Sequence, residues 1–183
     1  MTFTETSLPG SFMIQPSPRV DHRGWFVRTF DKQAFTQIGH FDDWVQMNHS
    51  MTQQTGALRG LHFQYPPYAE VKLVRCVAGC VFDVIVDIRA GSPTFLQWFG
   101  TELSAENGLM LYIPKGFAHG FQTLTSNCQL LYCHSNYYKP ECEGALRYND
   151  PQLVINWPLP VTDLSERDAN HPLLNDQFVG ITL

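Results

Sequence analysis

From residue 44 to residue 134 the chain is a succession of short runs rich in valine, isoleucine and aromatics, each closed by glycine, proline or polar residues. The runs fall at 44–50, 58–64, 71–77, 81–88, 97–103, 108–113, 120–124 and 129–134, and no stretch with helical periodicity separates them. That rhythm belongs to antiparallel β architectures, a sandwich or a closed barrel, and excludes repeated βαβ units. Ala78-Gly79 reads as a hairpin turn. Upstream, residues 12–16 and the aromatic-rich 24–30 read as strands. Residues 31–39 read as the best helix, with Asp31 as its cap, an apolar face of Ala34, Phe35 and Ile38, and Gly39 as its stop. Beyond Tyr138 the chain turns loop-rich, and the polar stretch 163–168 predicts one further helical turn. At 183 residues and 44 % hydrophobic content, one domain spanning 1–183 with one buried core is expected.

Charge and cysteine usage remove several classes of function. The formal net charge is −5 and no block of lysine or arginine occurs, so no nucleic-acid or membrane partner is expected. The start, Met1-Thr2-Phe3-Thr4-Glu5, has neither a basic nor an apolar run, and nothing approaches the roughly 18 apolar residues of a membrane helix. A cytoplasmic location is expected. Five cysteines, an odd number without a C-x-x-C pair, predict reduced core thiols instead of disulfides or a zinc site.

Residues 58–64, Leu58-Arg59-Gly60-Leu61-His62-Phe63-Gln64, put a guanidinium, a glycine and an imidazole into one strand. Strict alternation would send Arg59 and His62 to opposite faces, so for both to reach one cavity Gly60 must sit at a bulge or kink. A second pattern runs from Gly108 through Pro114-Lys115-Gly116 to His119 and resembles the second half-motif of the cupin double-stranded β-helix. Metal-binding cupins carry an H-x-H pair in the other half, where this chain has only His62. Two imidazoles do not complete a three-ligand centre, and neither metal nor cofactor is expected.

Several blocks in order then carry a more specific resemblance: Arg59 to Gln64, Lys72-Leu73-Val74-Arg75, residues 81–87, Ser92-Pro93-Thr94, residues 113–121, Tyr137-Tyr138 and Asn149-Asp150-Pro151. Together they resemble the dTDP-4-dehydrorhamnose 3,5-epimerase family over about residues 23–168. The resemblance implies a mostly β, cupin-like jelly-roll barrel with a few short helices, a homodimer, and cofactor-independent epimerisation in deoxysugar biosynthesis of a dTDP- or CDP-linked 4-keto-6-deoxy sugar at C3, C5 or both. The chemistry asks for a base and an acid on opposite faces of the sugar, since a carbon beside a ketone loses its proton as an enolate and inverts when reprotonated from behind. His62 is the candidate base, being partly unprotonated near neutrality.

By resemblance, Asp168 orients that base and Tyr132 is the acid. Lys72, Arg59 and His119 are candidates to face the enolate oxygen, and Arg23, Arg59 and Arg167 to bind the diphosphate. Gln46, Asn48 and Glu143 match positions that bind the rest of the substrate, and Phe26 and Tyr138 are placed to stack on the base. Three positions depart from the usual pattern: Arg28 where a glutamate near the substrate is typical, Met47 where an acid is frequent, and Cys133 where lysine is common. Arg28 is either a specificity residue facing the substrate or a partner of an acid such as Asp31 or Glu143. Two other functions fit parts of the pattern: a metal-dependent cupin enzyme built on His62 and His119, and a non-catalytic cupin that binds a sugar nucleotide.

Overall fold

The computed structural model describes residues 1–183. Four short strands open the chain, β1 (Thr2–Glu5), β2 (Phe12–Gln15), β3 (Arg19–Asp21) and β4 (Gly24–Phe26), followed by helix α1 (Lys32–Phe35). The middle of the chain is β5 (Gln46–Thr52), β6 (Leu58–Gln64), β7 (Lys72–Ala78), β8 (Cys80–Asp87), β9 (Trp98–Ser104), β10 (Met110–Ile113), β11 (Phe117–Thr123) and β12 (Cys128–His134). Strand β13 (Glu143–Ala145) and helix α2 (Glu166–Ala169) stand in the loop-rich remainder. Two antiparallel sheets result, ordered β1-β2-β10-β7-β12-β5 and β13-β6-β11-β8-β9, with β3 and β4 forming a separate ribbon. This is the expected mostly β, cupin-like jelly roll.

The sheets pack face to face. Val74 and Cys76 of β7, Leu111 and Ile113 of β10, and Cys128 and Leu130 of β12 meet Val81 and Ile85 of β8 and Phe117 and Phe121 of β11 in one cluster. The outer faces are covered as well. Phe35 of α1 packs with Ile14, Leu73, Met110 and Tyr112 on the six-stranded sheet, while Leu146, Leu153 and Ile181 cover Leu61, Val84 and Val86 on the other. Residues 81–88 are therefore apolar except at Asp83 and Asp87, because both faces of β8 are buried. Asp87 accepts hydrogen bonds from the backbone and guanidinium of Arg89 and from the hydroxyls of Ser92 and Thr94, so that part of the family pattern is an anchor for a turn. Asp150 likewise accepts from the backbone N–H groups of Gln152 and Leu174 and pins the tail.

Several expected boundaries shift. The strand expected over 24–30 stops at Phe26, and the strand placed at 120–124 begins at Phe117, so that His119 lies inside it. Ala78-Gly79 is no hairpin: β7 and β8 belong to different sheets, and the turn, with Gly79 at φ +74°, carries the chain from one to the other. A short-turn rule cannot see this difference, because a sheet-to-sheet corner and a hairpin use the same residues. The helical expectation holds in altered form. Asp31 accepts from the Ala34 N–H, one α-turn runs into a 3₁₀ turn at Thr36–Ile38, and Gly39 ends it in the left-handed region.

Candidate active site

Inward-facing positions divide the sandwich lengthwise. Along β12 the inward side chains pass from Cys128 and Leu130 in the core to Tyr132 and His134, and along β7 from Cys76 and Val74 to Lys72. The polar end encloses a cavity of about 630 Å³, within the usual size for a small-molecule site. Asn48, Ser50 and Thr52 of β5 line it from one sheet, and Arg59, His62 and Gln64 of β6 with His119 of β11 from the other.

Arg59 and His62 share this cavity because β6 is bulged. Between the pairs His119↔His62 and Phe121↔Arg59, Gly60 and Leu61 together oppose Gly120 alone. Gly60 stands at φ +123°, and a Cβ there would lie 2.5 Å from the Gly120 Cα. Only glycine fits both demands.

The tail after β13 returns beside β6, with Leu58 donating its N–H to the Asp163 carbonyl, and delivers α2 to the cavity. Ser165 caps α2 by accepting from the Asp168 N–H. The buried Asp168 carboxylate then takes His62 Nε2 at 2.8 Å on one oxygen and the Gly60 N–H at 3.3 Å on the other. Burial opposes its ionisation, but the His62 hydrogen bond and charge, the Gly60 N–H and the Arg167 guanidinium outweigh it and hold the carboxyl at about 2. A carboxylate at that pKa claims the Nε2 proton, which leaves Nδ1 as the lone-pair nitrogen.

Tyr132 stands on the opposite sheet. Its hydroxyl is 3.0 Å from Ser50 Oγ, and burial raises the phenol well above its ordinary range, so it is fully protonated at neutrality. His119 lies between the two: it pairs directly with His62 across the β6–β11 ladder, its ring centroid is 6.3 Å from that of Tyr132, and the buried Asp83 carboxylate holds its Nε2 with both oxygens at 3.0 Å. Lys72 Nζ is 3.2 Å from Glu70, whose other oxygen takes His134 Nδ1 at 3.0 Å. Burial raises the Glu70 pKa, but the His134 hydrogen bond and the Lys72 charge more than reverse this and leave it lowered. At the mouth, Glu143 accepts from Arg167 at 2.8 Å and from the Tyr138 hydroxyl at 3.1 Å, and Arg59 Nε donates to Thr52 Oγ1.

Of the residues singled out in the sequence, His62, Tyr132, Asp168, Asn48, Arg59, Lys72, His119, Tyr138, Glu143 and Arg167 line one cavity. Gln46 stands beside it, accepting from the Tyr138 N–H and donating to Asn48. Arg23, Phe26 and Arg28 lie elsewhere within the chain. Arg23 pairs with Asp21, Arg28 pairs with Asp31 at 2.7 Å, and Phe26 and Arg28 line a separate surface hollow. Sequence reasoning missed Glu70, Asp83, His134, His171 and Ser50. Glu70, Asp83, His134 and Ser50 act through partners dozens of residues away, and His171 meets His62 only when the tail returns to the cavity, so no local pattern marks them. Gln64 was visible only as part of a motif. Its amide ties down the carbonyls of Tyr68 and Tyr137 and accepts from Lys139, which fixes the loop bearing Tyr138.

A jelly roll with a carboxylate-held imidazole on one wall and a neutral phenol on the other defines a cupin-like acid–base isomerase. The nearest carboxylate to His62 is the one that orients it, and His119 has its own, so the two imidazoles stand as separately held groups and not as a ligand pair. The chain belongs to the dTDP-4-dehydrorhamnose 3,5-epimerase family, whose profile matches residues 5–176. It is 46 % identical over 181 residues to the dTDP-4-dehydrorhamnose 3,5-epimerase of Salmonella typhimurium, covering 98 % of each chain. The dTDP-6-deoxy-D-glucose-3,5-epimerase of Legionella pneumophila, solved with dTDP-4-keto-L-rhamnose, superposes with a TM-score of 0.92 at 42 % identity over 100 % of this chain and 98 % of that one. The Bacillus anthracis enzyme, solved with TDP and pyrophosphate bound, gives 0.91 at 39 % identity, covering 94 % and 99 %.

Proposed function

We propose that the chain, acting as one cupin-like unit, inverts the carbons flanking the ketone of a dTDP-linked 4-keto-6-deoxy sugar, C3 and C5, by proton removal and return from opposite faces. The observation that carries this reading is the placement of His62 with Asp168 on one sheet and Tyr132 on the facing sheet of a single cavity. His62 Nδ1 takes the proton beside the ketone, and the electron pair moves to the ketone oxygen as an enolate. Lys72 faces that oxygen as a cation, and His119, its Nε2 held by Asp83, lines the same cavity. Tyr132 then donates its proton to the carbon from the other side. Its raised pKa does not prevent this, since an enolate carbon is a far stronger base than a phenolate. Solvent resets the pair by reprotonating Tyr132 and taking the proton from His62. Arg59 and Arg167 bind the diphosphate as planar forks, Asn48, Gln46 and Glu143 hold the remaining polar groups, and Tyr138 stacks at the mouth.

Arg23, Phe26 and Arg28 enter this reading through a homodimer. The β3–β4 ribbon is paired to no sheet, and Val20, Trp25 and Phe26 on it are 75 %, 64 % and 68 % exposed. A lone two-stranded ribbon is marginal in water, and an apolar one is a natural element to lay on a second copy of the chain.

The reaction is tested with His62→Asn and dTDP-4-keto-6-deoxyglucose. Turnover falls at least about a hundredfold, the low end of what a positioned base contributes, while ligand affinity stays nearly unchanged. Retention of more than a tenth of wild-type turnover overturns the assignment. Proton NMR in deuterated buffer with the dTDP- and CDP-linked sugars reads which carbons exchange and which nucleotide is accepted.

A further inference from the structure

His171 stands two residues beyond α2 and was drawn into neither the family pattern nor the proposed chemistry. Its Nε2 is buried without a hydrogen-bond partner, 3.6 Å from Asp168 Oδ1. The His62 ring crosses it edge-on, with centroids 6.3 Å apart and planes at 79°. One donor atom from each of His62, Asp168 and His171 falls within 4.8 Å of the others. His171 follows Asp168 by three positions, so the helical turn that delivers the carboxylate also brings the second imidazole to it.

We propose that His62, Asp168 and His171 form a binding site for a divalent transition-metal ion of the Zn²⁺ class, and that its occupation switches off the base. Two imidazole nitrogens and one carboxylate oxygen are the donors such ions prefer, whereas Mg²⁺ and Ca²⁺ require sets dominated by oxygen. Coordination draws together donor atoms that already lie within 4.8 Å of one another. Arg167 opposes it: Nη2 lies 3.2 Å from His62 Nε2, and a cation must displace it. That guanidinium is half-exposed and already held by Glu143 at 2.8 Å, so it has somewhere to go.

The inhibition follows from tautomer chemistry. In the metal-free protein the proton sits on His62 Nε2, directed at Asp168, and Nδ1 is the base. A metal on Nε2 displaces that proton, and the neutral ring then carries its single proton on Nδ1. The nitrogen that takes the substrate proton becomes a donor. Binding itself depends only on the three side chains, and the inhibition rests in addition on His62 being the base.

Calorimetric titration of the metal-free full-length chain with Zn²⁺, run beside turnover of the dTDP-linked keto sugar, tests the site. One equivalent binds and abolishes turnover, and EDTA restores it. His171→Ala keeps its metal-free turnover but binds Zn²⁺ at least about tenfold more weakly and needs correspondingly more to be inhibited. Co²⁺ gives the wild type a visible d–d absorption band that the variant lacks. Unchanged Zn²⁺ affinity in His171→Ala, or no stoichiometric binding to the wild type, overturns the site and leaves the epimerase reading intact. Stoichiometric binding through His171 with full activity instead overturns the switch, and with it the assignment of His62 as base.

Discussion

Asp168 stays ionised although its side chain is only 5 % exposed. Its folded pKa of about 2 lies below the roughly 3.9 of an unfolded aspartate, so the stabilisation it contributes is fully present above about pH 4 and is lost as the pH falls through 2. The difference corresponds to roughly 2 to 3 kcal/mol. Unfolding free energies measured from pH 5 down to pH 2 should therefore fall more steeply for the wild type than for Asp168→Asn, by about that amount over the window. Parallel curves would show that the carboxylate gains nothing from its partners. Tyr132 gives a sharper separation of roles. Tyr132→Phe should still wash deuterium into the carbons beside the ketone, because His62 remains, yet yield little inverted product. Normal epimer yield in that variant places the acid elsewhere. His62 was legible from its neighbours Arg59 and Gly60, whereas Asp83 and Glu70 were not: an acid buried against a histidine looks, along the chain, like any other acid.

At the scale of the element, the bulge in β6 determines whether Arg59 and His62 share a cavity. Gly60→Ala forces a Cβ to 2.5 Å from the Gly120 Cα and 2.8 Å from the His119 carbonyl at a φ of +123°. A loss of at least about 2 kcal/mol is expected, the upper range for a strained backbone position, together with loss of turnover. Thermal unfolding and activity of the variant check both, and a stable, active Gly60→Ala would remove the bulge from the argument. Met47 and Cys133, singled out in the sequence, meet at this scale. These residues are direct partners across the β5–β12 ladder, while their neighbours Asn48 and Tyr132 line the cavity. Met47 and Cys133 thus form a cross-strand pair on the outer face, where such pairs act on the sheet and not on the cavity. Met47→Asp and Cys133→Lys should each cost stability alone and recover about 0.2–1 kcal/mol when combined, with turnover unchanged.

For the molecule as a whole, the exposed ribbon makes the dimer the expected state. Light scattering at low micromolar concentration should report two copies, and Val20→Asp with Trp25→Asp should shift the population toward monomer and weaken nucleotide-sugar binding if Arg23, Phe26 and Arg28 reach a neighbour's cavity. A monomeric wild type would leave those three residues with only their local partners. Arg28, paired with Asp31, already has one such partner, which is the second of the two readings its sequence position allowed.

Turn spacing and strand-forming runs were sufficient by themselves for a β barrel, since alternation and breakers are local properties that survive without knowledge of partners. The same holds for Asp31 and Gly39 at the ends of α1 and for the glycine that had to bend β6, whereas the ten residues of one cavity were legible largely through the family resemblance. The tertiary structure alone decided that Ala78-Gly79 joins two sheets, that Asp83 holds His119, that Glu70 links Lys72 to His134, and that His171 comes to rest beside His62. Each of these depends on which strand or helix lies against which, and that is set by the packing of two sheets over one core, a choice made between residues far apart in the chain.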